Sequence, residues 1–520
     1  GRGALFVPMA AAARGAKTLV NARVVRLGAR QGFGGGGGLR VSRAFRVSAV
    51  VVAASNIGEA ASHGHERDAR PQVAVLGGGA AGLTAAYFAA SAGARVTIYE
   101  RTSETGKKIL MSGGARCNVL PVSMRIEDFV TESAPRHLKA VLASWSVERC
   151  REWLERDVEL ALGIEHVTNK YFPLSNSSRE VRDKLVQACL RVGVKIQYDT
   201  TVESLRPVDG GKGWALRIKN RVEEHVPVVI LAMGGLSFPA VGTDGMGYAI
   251  ARRDLNHVLN EPYPALVPLT GEHPGGERLP GVSVDVSLGC ENFGGTDKKK
   301  KKSKASREGF LFTHRGYSGP AVLDLSHNIV RPLVRATNRP VGGEATEITN
   351  NNDERCVVDG SAPGAVQALP FLVVNWSGED RETWQTRLTV PPGRALLVTR
   401  LRDALPTRLA DALIAEAGVE ATCKVADLRK DDRLKLLDIL TRYRIPIDGH
   451  QGYRKAEVTG GGVPLDEIDT KSMESMKAPG VFMCGEVCDV FGRIGGFNFL
   501  WAWTSGRLAG LSAAKSVTLE

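Results

Sequence analysis

The residues most suggestive of chemistry are glycines that follow a short apolar run. Gly77, Gly79 and Gly82 have the spacing GxGxxG, directly after Val73–Leu76. The first glycine permits a tight turn, the second lets the backbone approach a pyrophosphate, and the third lets a helix pack closely on a strand. A helix that starts at Ala80 would present free N–H groups to the phosphates. The pattern predicts a dinucleotide site.

The elements that must position this turn follow within about 30 residues, as a βαβ unit requires. Val73–Leu76 is the first predicted strand, and the helix after the glycines ends at Gly93. A second strand, Arg95–Tyr99, stops at Glu100. An acid at this place accepts hydrogen bonds from ribose hydroxyls and disfavours a 2′-phosphate, so FAD or NAD is predicted rather than NADP.

Composition excludes several classes of protein. The chain has 520 residues with 43% hydrophobic and 24% charged residues. It contains no apolar run of the length that a membrane-spanning helix needs. The 8 cysteines do not indicate a disulfide scaffold, and no Cys/His spacing predicts a metal site. No pattern indicates a Ser/His/Asp triad.

The formal net charge of +12 is concentrated near the start of the chain. Residues 1–58 contain eight Arg, one Lys and no acidic residue. This composition predicts that residues 1–70 are an organelle transit peptide and disordered linker, for the chloroplast or alternatively the mitochondrion. A nucleic-acid-binding arm is the less favoured alternative. The lysine run at residues 298–304 is predicted to be a solvated loop.

Four further segments carry a family resemblance: Gly106–Asn118, Pro264–Leu269, Phe312–Pro320 and Gly485–Asn498. With the GxGxxG unit they resemble the HI0933-like (YhiN/BaiN-like) FAD-dependent flavoproteins, a branch of the glutathione-reductase-type Rossmann superfamily. The resemblance spans residues 71–520.

This resemblance implies an α/β fold with a Rossmann-type FAD-binding domain formed by both chain ends, residues 71–265 and 453–520. A β-barrel-like insert with a small helical subdomain is expected at residues 266–452. Alternating segments agree with a β-rich part at 266–400, and helical periodicity agrees with a helical part at 401–445.

The cofactor expected from the resemblance is FAD. Its contacts fall on the glycine turn, on the ends of predicted strands and on the start of the last helix. Asp489 competes with Glu486 for the acid that binds ribityl hydroxyls. The predicted cofactor-binding residues are Gly77, Gly79, Ala80, Gly82, Glu100, Lys107, Val202, Gly234, Gly485, Glu486, Gly496 and Asn498.

Three residues are candidates for catalysis: Cys117, His314 and Tyr317. Reduction of a C=C or C=O bond needs a proton as well as a hydride, and the histidine and tyrosine could supply it. A structural role at a strand end is the alternative for both. Cys117 lies where the family places its flavin ring, and either contact with the flavin or simple packing is open.

We therefore expect an FAD-dependent oxidoreductase that reduces a small organic substrate. Because no second GxGxxG nicotinamide domain is present, NAD(P)H would bind only transiently as hydride donor. A thiol–disulfide flavoprotein that uses Cys484 and Cys488 is one alternative. A non-catalytic flavoprotein that binds nucleic acid is another, although nucleic acid is not the favoured partner. The oligomeric state stays open.

Overall fold

Short apolar runs joined by glycine turns build the centre of the protein, as seen in a computed structural model. The structure describes residues 72–208, 212–276, 279–291, 307–337, 370–389 and 395–518. The predicted transit segment, residues 1–70, and the lysine run at 298–304 lie outside the described residues.

The strands are short, as the spacing of apolar runs predicts. In chain order they are β1 Val73–Leu76, β2 Val96–Tyr99, β3 Leu120–Pro121, β4 Phe129–Val130, β5 Leu162–Glu165, β6 Lys170–Pro173, β7 Lys195–Gln197, β8 Val202–Pro207, β9 Trp214–Ile218, β10 Glu224–Val226, β11 Val228–Leu231, β12 Asn260–Ala265, β13 Leu269–Thr270, β14 Ser283–Glu291, β15 Glu308–Thr313, β16 Gly316–Ser318, β17 Phe371–Asn375, β18 Tyr443–Arg444, β19 Gly449–His450, β20 Val458–Gly462, β21 Ile468–Asp469, β22 Glu474–Ser475, β23 Val481–Met483 and β24 Phe491–Gly492.

Helices cover the sheets and connect the strands. The α-helices are α1 Ala80–Ser91, α2 Lys107–Met111, α3 Pro135–Ala143, α4 Val147–Arg156, α5 Ser178–Arg191, α6 Met246–Arg253, α7 Pro320–Thr337, α8 Arg381–Arg387, α9 Leu397–Arg402, α10 Thr407–Glu416, α11 Lys430–Arg442 and α12 Phe497–Thr518. Among the described helices, none combines the length and apolar character that crossing a membrane requires.

The central sheet has seven strands in the order β21-β22-β23-β11-β1-β2-β7. Strand β1 is parallel to both neighbours, with Val73 opposite Val96 on one side and Val228 on the other. Strands β1, β2 and β11 are buried along their whole length, as a parallel sheet covered on both faces requires. Because β23 lies beside β11, both ends of the chain form this sheet. The predicted Rossmann-type βαβ unit is confirmed.

The last helix packs closely on the first one. Gly506 and Gly510 of α12 face the backbone of α1, and a Cβ atom at Gly510 would lie 2.2 Å from the carbonyl oxygen of Ala85. A Cβ atom at Gly506 would lie 2.6 Å from the carbonyl oxygen of Ala81. Only glycine permits this approach, so α12 is fixed against the helix that follows the GxGxxG turn.

The second large sheet also has seven strands, in the order β18-β17-β14-β15-β16-β13-β19. All its described pairings are antiparallel. In the described residues its edge strands β18 and β19 do not pair with each other, so the predicted barrel-like closure is not confirmed. The chain enters and leaves this region through β12 and β20, which pair antiparallel.

Helix α7 corrects one expectation. It lies inside the 266–400 stretch that was predicted to be β-rich. Its buried residues include Val322, Ile329, Val330 and Leu333, which follow helical and not alternating spacing. The alternating run that begins near Val282 is a strand, β14, and the helical periodicity within 401–445 corresponds to α10 and α11, as predicted.

Buried apolar residues form two cores. One surrounds the central sheet and includes α1 and α12. The other, called the insert core, consists of residues between Tyr263 and Val458 together with Phe491. The insert bounds at residues 266 and 452 stay a prediction.

Replacing Gly510 by Ala tests the contact between α1 and α12. The added methyl group overpacks the helix pair, so we expect a loss of about 1–3 kcal/mol in the free energy of unfolding. Gly289→Ala is the control, because a Cβ atom there meets nothing within 4 Å. Chemical denaturation of both variants measures the effect, and equal stability of the two would contradict the proposed constraint.

Candidate FAD site

One cavity lies at the carboxyl ends of four parallel strands of the central sheet. The segments that follow β1, β2, β11 and β23 all line it, and they include Gly77, Glu100, Gly234 and Glu486. Ligands of open α/β sheets bind at this edge. The fold therefore gathers segments from the N-terminal and C-terminal parts of the described chain around one cavity.

The glycine turn has the geometry that a pyrophosphate needs. Gly77 adopts a φ of 101°, and a Cβ atom at Gly82 would lie 1.9 Å from the carbonyl oxygen of Gly77. Gly82 therefore packs helix on strand and does not line the cavity, although it was predicted among the cofactor-binding residues. Gly79 is the N-cap of α1, and a Cβ atom there would meet no protein atom within 4 Å. This open space beside a helix N-terminus suits a phosphate.

Glu100 lies at the end of β2, as predicted. One carboxylate oxygen accepts a hydrogen bond from Gly78 N at 2.9 Å, and the other accepts one from Thr102 N at 2.9 Å. The carboxylate is thus held at the cavity wall beside the glycine turn. Val202 lines the same cavity. The two residues fit the adenosine half of FAD.

Of the two candidates for the acid that binds ribityl hydroxyls, Glu486 lines the cavity and Asp489 does not. The Oε1 atom of Glu486 accepts hydrogen bonds from Ser237 Oγ at 3.0 Å and Thr459 N at 2.9 Å. Its Oε2 atom lies 2.6 Å from Lys108 Nζ. The carboxyl group of Asp489 is instead buried behind the wall, where it accepts a hydrogen bond from Asn260 Nδ2 at 2.7 Å and burial raises its pKa.

The remaining predicted contacts also line the cavity: Ala80, Lys107, Gly485, Gly496 and Asn498. Asn498 holds the loop before α12, because its side chain exchanges two hydrogen bonds of 2.8 Å with the backbone of Gly492. The residues present fit FAD. When bound, FAD would supply hydride transfer.

The three predicted catalytic residues do not line the cavity. Cys117 is fully buried in the core of the central sheet, and burial raises the pKa of its thiol to about 12. Tyr317 is buried in the insert core, where its hydroxyl donates to the carbonyl of Glu272 and burial raises its pKa. His314 is exposed. Contact of these side chains with substrate is not supported.

Cys484 and Cys488 are free and buried. Burial raises the pKa of the Cys484 thiol to about 12, and burial also raises the pKa of Cys488. A redox-active thiol needs access and a lowered pKa. Both thiols have a raised pKa, and of the two only Cys484 lines the cavity, which argues against the thiol–disulfide alternative.

Sequence reasoning missed three residues that hold Glu486: Lys108, Ser237 and, through its backbone N–H group, Thr459. Lys108 pairs with Glu486, whereas the sequence analysis named only the neighbouring Lys107. Thr459 Oγ1 accepts hydrogen bonds from the backbone N–H groups of Leu236 and Ser237, which fixes the turn after β11. Nothing in the sequence around Thr459 indicates that its hydroxyl group contacts the turn after β11.

A buried Ser–His–Glu arrangement was also missed, since its members are distant in the sequence. His257 lies 2.8 Å from both Ser475 Oγ and Glu467 Oε2. Ser475 Oγ also accepts a hydrogen bond from Ala478 N at 2.8 Å, and none of the three residues lines the cavity. The arrangement is therefore a structural link between β22 and its neighbours.

Asp324 connects helix α7 of the insert to the loop before α12. It accepts a hydrogen bond from Ile494 N at 2.6 Å, and Arg493 Nε lies 3.7 Å from its other oxygen. Arg493 also contacts Glu308 at 2.9 Å. Burial raises the pKa of Asp324 to about 7. The contact fixes the insert against one end of the cavity, since Ile494 and Leu323 line it.

The fold and the cavity define a Rossmann-type, FAD-dependent oxidoreductase. Residues 71–512 match the model of the HI0933-like protein Rossmann domain, and the chain belongs to this family.

Two relatives match this chain over almost their whole length. The chain is 32% identical over 451 residues to the ribosomal RNA dihydrouridine synthase of Escherichia coli (strain K12), covering 85% of this chain and 98% of the relative. It is 28% identical over 449 residues to the 3-dehydro-bile acid delta(4,6)-reductase of Clostridium scindens, covering 85% and 99%. Among solved structures, 3-ketosteroid-delta4-(5alpha)-dehydrogenase from Rhodococcus jostii RHA1 is 17% identical with a TM-score of 0.38, covering 87% of this chain and 98% of that one.

Replacing Gly79 by Glu tests the FAD site. A Cβ atom there meets no protein atom within 4 Å, so the variant should fold. The glutamate places an anion where the pyrophosphate would bind, so the affinity for FAD should fall by roughly tenfold or more. Flavin absorbance of the purified protein and FAD titration measure this. Gly289→Glu is the control, and a wild type without FAD affinity would refute the site.

Replacing Asp324 by Asn tests the buried carboxyl group. Between its ordinary pKa of 3.8 and about 7 the folded protein keeps the proton while the unfolded chain has released it. Wild-type stability therefore falls relative to Asp324→Asn as pH rises through this window, by roughly 1.4 kcal/mol per pH unit, and the difference is constant above it. Urea unfolding from about pH 5 to pH 8 measures it.

The control for this measurement is Asp411→Asn, which removes an exposed ion pair with Arg402. Exposed pairs contribute little, so its stability should follow the wild type at every pH. A pH-independent difference between Asp324→Asn and the wild type would contradict the assignment.

Proposed function

We propose that this protein reduces a carbon–carbon double bond conjugated with a carbonyl group, and that the substrate is a uracil base of ribosomal RNA. Its full-length similarity to a ribosomal RNA dihydrouridine synthase carries the proposal. A second ribosomal RNA dihydrouridine synthase, from Haemophilus influenzae, is 29% identical over 447 residues. Formation of dihydrouridine adds a hydride and a proton across the double bond of uracil next to its carbonyl group.

The cavity supports this class of reaction. Residues of the insert side, Leu266, Leu323 and Val458, form apolar parts of its wall. An apolar wall excludes water from a hydride-transfer site and suits a flat ring. The name of the bile acid reductase also denotes the reduction of double bonds, so the chemistry is shared while the substrates differ.

The proposed substrate, ribosomal RNA, differs from the small organic substrate expected from the sequence. The two RNA-modifying relatives motivate the change. Together with the transit segment expected at residues 1–70, the proposal locates the substrate in the ribosomal RNA of the chloroplast, with the mitochondrion as the alternative. NAD(P)H is proposed as a transient hydride donor, because the Rossmann sheet of the described residues serves FAD.

Anaerobic half-reactions test the proposed function. NADH or NADPH should bleach the flavin absorbance of the FAD-loaded protein. Ribosomal RNA that lacks dihydrouridine should then restore it, with dihydrouridine detected by mass spectrometry of the digested RNA. A 3-keto-4-ene steroid and an RNA of equal length without uridine are the controls, and neither should restore the absorbance.

Two results would contradict the proposal in different ways. Recovery with the steroid and not with ribosomal RNA would indicate a small-molecule reductase. Bleaching by dithionite but by neither nicotinamide would refute NAD(P)H as donor while leaving the RNA substrate to be tested with the dithionite-reduced protein.

A further inference from the structure

Five acidic side chains line the cavity, and four of them have partners. Glu100 accepts a hydrogen bond from Gly78, and Glu486 is paired with Lys108. Glu104 lies 2.8 Å from Arg182, and Asp244 pairs with Arg101. The carboxylate groups of these four residues are therefore already engaged by other groups of the protein.

Glu457 is the exception. The structure gives its carboxyl group no hydrogen bond or ion pair with any described residue, although it lines the cavity. Its backbone is fixed, because its N–H donates to the carbonyl of Leu266 at 3.1 Å and its carbonyl accepts from Ser237 Oγ at 3.4 Å. The chain thus holds a half-buried acid toward the cavity where the insert rejoins the FAD-binding part.

We propose that Glu457 is the proton donor for the reduction of the conjugated double bond, an inference that rests on the proposed function. The hydride reaches the carbon β to the carbonyl group from the reduced cofactor. The O–H bond of Glu457 breaks as a C–H bond forms at the α carbon. NAD(P)H supplies both electrons, and the Glu457 carboxylate regains its proton from water once the product has left.

The electrostatic surroundings suit this role. Burial raises the pKa of Glu457, which favours the protonated form of the carboxyl group over the carboxylate. Lys108, on α2, is the charge that opposes this effect, and it is itself paired with Glu486 at 2.6 Å. After transfer, the Lys108 ammonium group stabilises the carboxylate that remains.

Other proton donors are less well placed. Cys117, His314 and Tyr317 do not line the cavity. Cys484 lines it, but burial raises its pKa to about 12. The hydroxyl of Tyr99 is bound to Glu224.

Glu457→Gln tests the proposal, since glutamine keeps the shape but has no acidic proton. FAD content and flavin bleaching by NAD(P)H should match the wild type, whereas reoxidation by ribosomal RNA should slow by about 100-fold or more. Reoxidation by ferricyanide needs no proton donor and should be unchanged. The matched control is Glu261→Gln, on the neighbouring strand β12 and outside the cavity lining, where no rate should change.

Two further readouts address protonation directly. The wild-type rate with RNA should fall as pH rises and Glu457 loses its proton, and this pH dependence should be missing in Glu457→Gln. Infrared spectra recorded as a function of pH should show a protonated carboxyl band that disappears as pH rises in the wild type and that the variant lacks.

Each other outcome overturns a definite part of the proposal. Equal rates of RNA-dependent reoxidation in Glu457→Gln and the wild type would reject Glu457 alone. Equal slowing with RNA and ferricyanide would assign it a structural role. A wild type that RNA does not reoxidise would refute the proposed function, and the inference with it.

Discussion

The close backbone-to-backbone contact between helices α12 and α1 is the constraint on which the other features depend. Gly506 and Gly510 let the last helix approach the helix that carries the pyrophosphate turn. In the same fold β23 lies beside β11, and Glu486 reaches the same sheet edge as Glu100. Residues that are far apart in the sequence thereby line a single cavity. Small residues at the interface therefore determine the geometry of a site that they do not touch.

The sequence predicted the local features well because their determinants are local. Strand β1, helix α1 and strand β2 follow from apolar runs and three glycines within about 30 residues. The strand-end acids could also be found, since a parallel sheet brings the carboxyl ends of its strands to one edge. Helix α7 was not predicted, because its helical spacing lies within a stretch in which short alternating segments predominate.

Side-chain direction could not be read in the same way. Cys117 lies in a motif that borders the cavity, yet it is buried in the core, while Asn118 next to it lines the wall. Lys107 and Lys108 are adjacent, and only the fold shows that the second one pairs with Glu486. Glu457 lacked any motif. Its importance follows from what surrounds it, namely a cavity and the absence of a partner among the described residues.

The pairing of β11 with β23 also has a consequence for biosynthesis. Strand β11 ends at Leu231, but its neighbour β23 begins only at Val481, so a ribosome must make some 250 residues between them. The nascent chain cannot complete its cofactor site before it has been synthesised as far as Ala502, which lines the cavity. The insert core draws almost all of its residues from between these two strands and is available earlier. The cofactor site can therefore form only after the insert, which separates β11 from β23 in the sequence, has been synthesised.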